Sequence, residues 1–143
     1  MSVQSLNRRR RWLAAAVMLL ALAGVFVART ALARVVTNTI DPVDVVAADG
    51  RHVTVTGPIT FDAGEQTHLR VTVTQRSTGA VAEGRTFLIG TSTLQQWAVE
   101  AEAEGNEIFA AGPATAVAVA RTTVRGQATD AHQWLVNITL ISE

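Results

Sequence analysis

The stretch Thr67–Arg76 reads THLRVTVTQR. Leu69, Val71 and Val73 alternate there with His68, Arg70, Thr72 and Thr74. A period of two marks an extended strand with one face in a core and the other in solvent, because successive side chains of a strand point to opposite sides. The same alternation recurs along the chain. In HVTVTG, Val53 and Val55 oppose His52, Thr54 and Thr56; in QWAVEAEAE, Trp97, Val99, Ala101 and Ala103 oppose Glu100, Glu102 and Glu104. In QWLVNITLI, Trp134, Val136, Ile138 and Leu140 share one side. RTFLIG and ATAVAVARTTV are apolar on both faces and read as more central strands, with Val43–Ala47 as a weaker candidate.

Turn signals separate these runs: Asp49-Gly50, Gly57-Pro58, Ala63-Gly64, Thr78-Gly79, Gly105-Asn106 and Gly112-Pro113. ADGRH lies between two strands and predicts a tight hairpin. Many short strands at regular spacing, with no amphipathic helix among them, predict an all-β domain over 43–143. The expected form is an antiparallel β-sandwich, immunoglobulin-like in general plan, with a β-barrel as the alternative. Its core is expected around Trp97 and Trp134, with 35–42 as a short polar connection leading into it.

One hydrophobic helix is expected before this domain, within 1–34. Arg8–Arg11 precede an uncharged run from Trp12 to Ala28. As a helix that run is about 25 Å long, slightly short of a hydrocarbon core of about 30 Å. Arg29 could snorkel to the interface and let the helix continue to Ala33, making a single-pass anchor. The arginine bias would then put the N-terminus inside and the domain outside. A charged region, an apolar region and Ala31-Leu32-Ala33 equally form a signal peptide, with cleavage after Ala33. Either reading gives an exported domain, secreted or held in the cytoplasmic membrane.

Charge is divided in the same way. All twelve basic residues are arginine, and six of them lie at or before Arg34. The rest of the chain sets six arginines against all twelve carboxylates, a side-chain charge of −6. Nucleic-acid affinity depends on cationic neutralisation of phosphate, so an acidic domain argues against a nucleic-acid partner. Cysteine is absent, which excludes disulfides, thiolate metal sites and a cysteine nucleophile. The domain must hold together through its core.

No catalytic, cofactor-binding or metal-ligating residue is assigned. His52 and His68 fall on the solvent side of their strands, and no histidine pair has ligand spacing. Ser77, Ser92 and Ser142 sit in no nucleophile motif, and no glycine-rich phosphate loop occurs. The most distinctive polar feature is the ladder Glu100, Glu102, Glu104, followed by Glu107. Carboxylates two residues apart on a strand lie about 6.5–7 Å apart on one face. They suit a cation or a basic partner, or else a solvated face paired with arginines of neighbouring strands or guarding an edge.

The runs GPITFDAGEQTHLRVTVTQRSTGAVAEGRT, QQWAVEAEAEG, FAAGPATAVAVA and DAHQWLVNITL together resemble small exported domains of GC-rich bacteria, notably actinobacteria. The resemblance implies a secreted β-sandwich and carries over no functional residue. Many members of that group have cysteines near the positions of Phe61 and Ile89, both absent here, so no family disulfide is implied.

The functional expectation is a non-enzymatic module of the cell envelope, without cofactor, making protein or surface contacts outside the cytoplasmic membrane. Two alternatives are an accessory subunit of a membrane complex held by a retained helix, and a secreted binder of a small ligand or cation. The membrane is a partner through the N-terminal helix unless that helix is removed.

Overall fold

The computed structural model describes Val35 and residues 37–143. The expected N-terminal helix, its cleavage after Ala33 and its membrane span lie outside these residues. The described residues form strands β1 (Thr37–Asn38), β2 (Val43–Val46), β3 (His52–Thr60), β4 (Gln66–Gln75), β5 (Ala80–Ile89), β6 (Gln95–Glu104), β7 (Gly112–Val124) and β8 (Gln127–Ser142). The alternation in the sequence sets their faces. In β4 every residue from Thr67 to Gln75 with the parity of Leu69 is buried, and β6 buries Trp97, Val99, Ala101 and Ala103 while exposing its glutamates.

The sheet closes on itself. Around the ring the order is β2-β3-β6-β5-β4-β7-β8, and β8 returns to β2. The fold is therefore a closed seven-stranded barrel and not the immunoglobulin-like sandwich that the alternation suggests. Closure has two physical agents. β3 is laddered on both edges, to β6 over eight residues and to β1 and β2 on the other side, so it cannot be a sheet edge. The short β2 then pairs parallel to the end of β8, Val43–Val46 against Thr139–Ser142, joining the two ends of the sheet. Within the ring β4, β5 and β6 follow as a meander and β7 returns beside β4, a Greek key.

The interior is filled rather than hollow. β7 turns Ala114, Ala116, Ala118 and Ala120 inward, and these small side chains face larger ones from the other strands. Trp97 is 2% exposed and Phe61, Ile40, Ile59 and Leu69 are as deeply buried. Trp134 is half-buried and packs against this cluster. Two glycines mark close backbone approaches. A Cβ on Gly57 would stand 2.2 Å from the Thr39 carbonyl oxygen and 2.8 Å from Cζ2 of Trp97. A Cβ on Gly84 would stand 2.4 Å from the Glu100 carbonyl oxygen.

Gly57-Pro58, a turn signal in the sequence, thus lies inside β3. The Pro58 carbonyl accepts the Thr39 N–H, so the missing Pro58 N–H falls on the edge facing the short β1, where little ladder is lost. ADGRH does form the β2–β3 turn, with Gly50 N–H donating to Ala47 O at 2.8 Å. Val35 and the segment 37–42 belong to the barrel wall: Val35 and Ile40 are buried, and β1 pairs with Thr60 and Ile59. The upper half of β5, apolar on both faces, is not central. It is laddered to β4, but to β6 only through Val81–Glu83, and Phe87 and Ile89 are exposed.

Candidate functional site

Glu100, Glu102 and Glu104 project outward from β6, all exposed, and Glu107 is exposed in the loop that follows. The ladder runs between β3 and β5. His52 Nε2 lies 4.0 Å from Glu100 Oε1, and the Arg51 guanidinium donates to the backbone on either side of Glu104, to Ala103 O and Gly105 O. His52 Nδ1 is 3.1 Å from Asp49 Oδ2. The Asp49 carboxyl is held below its ordinary range, first by the Arg51 backbone N–H.

The arginines expected to pair with the ladder go elsewhere. Arg70 on β4 and Arg85 on β5 both grip Glu83, with Arg85 Nη2 at 2.7 Å from Oε1. Those hydrogen bonds, Arg85 first, lower the Glu83 pKa. Glu83 stands directly across from Glu102 in the β5–β6 ladder, a like-charge pair that costs stability when bare. The two guanidiniums offset the Glu83 charge and leave the β6 carboxylates as the unneutralised part of this wall.

The histidines do not converge. His52 is on β3 and His68 on β4, with β6 and β5 between them in the ring, while His132 is on β8. Among the described residues no group of three or more histidine and carboxylate side chains is arranged to hold a metal ion. His68 instead rests against Phe87, ring centroids 5.1 Å apart. An open groove of about 800 Å³ lies at the foot of β4, β7 and β8, lined by Thr74, Arg76, Ser77, Thr115 and Asn137. It carries a guanidinium and hydroxyls, with neither histidine nor carboxylate in its wall, so Ser77 has no base there to activate it.

Two buried acids escape a reading by residue type. Asp44 on β2 is 2% exposed; its Oδ1 accepts the Thr56 backbone N–H at 3.0 Å, and its Oδ2 has no protein partner among the described residues. Burial, the largest cause, pushes its pKa up to about 6, with Asp41 adding in the same direction. Thr56 ties the pair together, because its hydroxyl donates to Asp41 Oδ2 at 2.6 Å. Glu65 precedes β4 and is also buried, its pKa raised by desolvation and by Asp62 and Asp130. The available signal was parity: Asp44 shares a face with Val46, and Glu65 with Thr67 and Leu69. No family model matches this chain, and no curated protein matches it in sequence.

Proposed function

We propose that this chain is a non-enzymatic, exported module of the cell envelope that works through its outer surface. The observation that carries this reading is the division of the barrel into a filled interior and an exterior with distinct polar and apolar regions. Side chains pack the inside, while the outside presents the acidic wall of β6 and a separate group of exposed aliphatic residues. A filled barrel recognises partners by its walls and loops, whereas barrels that hold small ligands keep an open lumen. The arginine-flanked apolar segment before residue 35 supports export, and the resemblance to small exported domains of GC-rich bacteria points the same way.

The test is topology. In spheroplasts of a bacterium expressing the full chain, protease added outside is expected to digest the domain, with a cytoplasmic marker intact. Protection of the domain until the cells are lysed would overturn export. The mass of the recovered protein then separates the two forms: a start at Arg34 means a released module, and an uncut chain means a tethered one.

A further inference from the structure

Among the described residues, one edge of β8 has no strand partner over much of its length. β8 is laddered to β7 from Gln127 to Leu140, yet among the described residues its other edge meets only β2, through Thr139–Ser142. Among the described residues, the chain before β2 does not fill the gap. Thr37 and Asn38 pair with β3, and Thr39 and Asp41 donate to Pro58 and Thr56 of the same strand. Among the described residues its hydrogen bonds to β8 are one from Val35 N to Asp130 Oδ2, at 3.4 Å, and one that Pro42 O accepts from Thr139 N–H beside the β2 pairing.

Register shows which groups the edge offers. Thr139 N–H donates to Pro42 O at 2.8 Å, on the β2 side, and Thr139 stands opposite Pro113, which has no N–H to give. Backbone groups alternate edges along a strand, and the β7–β8 ladder shows no shift below Thr122/Thr123. Ala131, Gln133, Leu135 and Asn137 therefore point both N–H and C=O toward the open edge.

Natural edges are guarded by charge, proline or bulges. This one has none: from Ala131 to Ile141 there is no acid, arginine, lysine or proline. Its outer face carries an apolar patch between the polar Gln133 and Asn137, with Leu135 61% exposed and directly paired with Val117, and Val119 exposed beside them. β5 also lacks a full ladder, but there the neighbouring strand stays close: Gly84 abuts Glu100, and Gln95 Nε2 donates to Ile89 O at 3.0 Å.

We propose that β8 is the dimer edge: a second copy of this chain pairs antiparallel with it through residues 133–137, with Leu135 on the two-fold axis, joining two barrels into one continuous sheet. Two features select a second copy. Antiparallel pairing of one strand with itself makes a closed two-fold contact, and that contact lays each Leu135–Val117 surface beside its symmetry mate. Charge also fits. The β6 carboxylates lie on the opposite wall, with two strands between β6 and β8 one way round the ring and three the other. Two acidic domains meeting at β8 thus keep their most negative walls apart and bring a neutral edge together.

The absence of cysteine makes the test clean. Full-length Ala131→Cys, Gln133→Cys, Leu135→Cys and Asn137→Cys, purified in detergent, are oxidised mildly, with Glu100→Cys as the control. A disulfide needs Cα atoms roughly 4.4–6.8 Å apart, so an in-register pair gives one maximum along the strand. The expected result is a covalent dimer peaking at Leu135→Cys, the position on the two-fold axis, with none from Glu100→Cys. Light scattering is expected to give a dimer for the parent chain and a monomer for Leu135→Pro. That proline removes an edge N–H and spares the β7 ladder, and circular dichroism checks that the variant keeps its strands. Three results would overturn the proposal: no cross-link at any β8 position, equal cross-linking at all positions and the control, or a cross-link in cells only to a protein of different mass.

Discussion

Trp97→Ala is expected to destabilise the barrel by about 4 kcal/mol, the scale for emptying a fully buried aromatic site. Trp97 has the largest side chain among the most deeply buried residues, and it lies on β6 opposite Gly57 of β3. A domain of this size has a total stability of roughly 5–15 kcal/mol, so the loss removes a large share. The same site can be broken from the other side. Gly57→Ala adds one methyl group, yet its Cβ would meet the Thr39 carbonyl oxygen, Cζ2 of Trp97 and the Ile40 Cα, the last at 3.1 Å. Two of these contacts are with backbone and cannot swing aside, so a cost of about 3 kcal/mol is expected from overpacking. Trp134→Ala serves as the comparison. That ring is half-buried on β8, and about half the Trp97 effect is expected. Denaturant unfolding followed by circular dichroism ranks the three. If Gly57→Ala were as stable as the parent, the close approach of the Thr39–Ile40 backbone, β3 and Trp97 would be refuted.

These residues also show what the sequence alone could and could not reveal. The faces of β4, β6 and β8 were legible, because alternation is local: Leu69, Val71 and Val73 need only their neighbours to declare a buried side. Closure was not legible. It depends on β2 finding β8, nearly a hundred residues away, in the barrel's one parallel pairing. No local pattern distinguishes a strand that ends a sheet from one that completes a ring. Gly57 was legible as a glycine and misread as a turn, since the demand on it comes from Thr39 and Trp97 across space. Phe87 and Ile89 read as central by composition, but β5 has a full ladder on one edge only. For the candidate site, the outward ladder of Glu100, Glu102 and Glu104 follows from parity, whereas the capture of Arg70 and Arg85 by Glu83 follows from cross-strand register. Asp44 and Glu65 were the least legible. Their parity placed them inside, and their charge argued for the outside.

Asp44→Asn is expected to stabilise the protein at neutral pH and to flatten its dependence on pH between about 4 and 6. Asp44 has its carboxyl pKa raised from 3.8 to about 6 in the folded protein, with burial as the main cause. A raised carboxyl pKa means that the folded state binds the proton more tightly than the unfolded chain. Below the unfolded value both states are protonated and nothing is lost. As pH rises through the interval, the unfolded chain releases its proton first, and stability falls until the folded carboxyl also ionises near pH 6. The interval corresponds to roughly 3 kcal/mol at most, and solvent reorganisation around the site reduces it to about 2 kcal/mol. Glu65 contributes with the same sign, while the lowered pKa values of Glu83 and Asp49 act in the opposite direction. The difference between parent and variant therefore isolates Asp44. An amide keeps the acceptor for the Thr56 N–H, so the variant loses the buried charge without losing the hydrogen bond. Urea unfolding at intervals from pH 4.5 to 7.5 reads both curves; if they ran parallel, Asp44 would not titrate in this range. The location gives the effect its consequence. β2 is four residues long, pairs with β3 at only two positions and supplies the join to β8. The penalty falls on that join, so hydrogen exchange in Val43–Val46 is expected to quicken as pH rises from about 4 to 6 and then to level off, beyond the intrinsic rise measured in the asparagine variant.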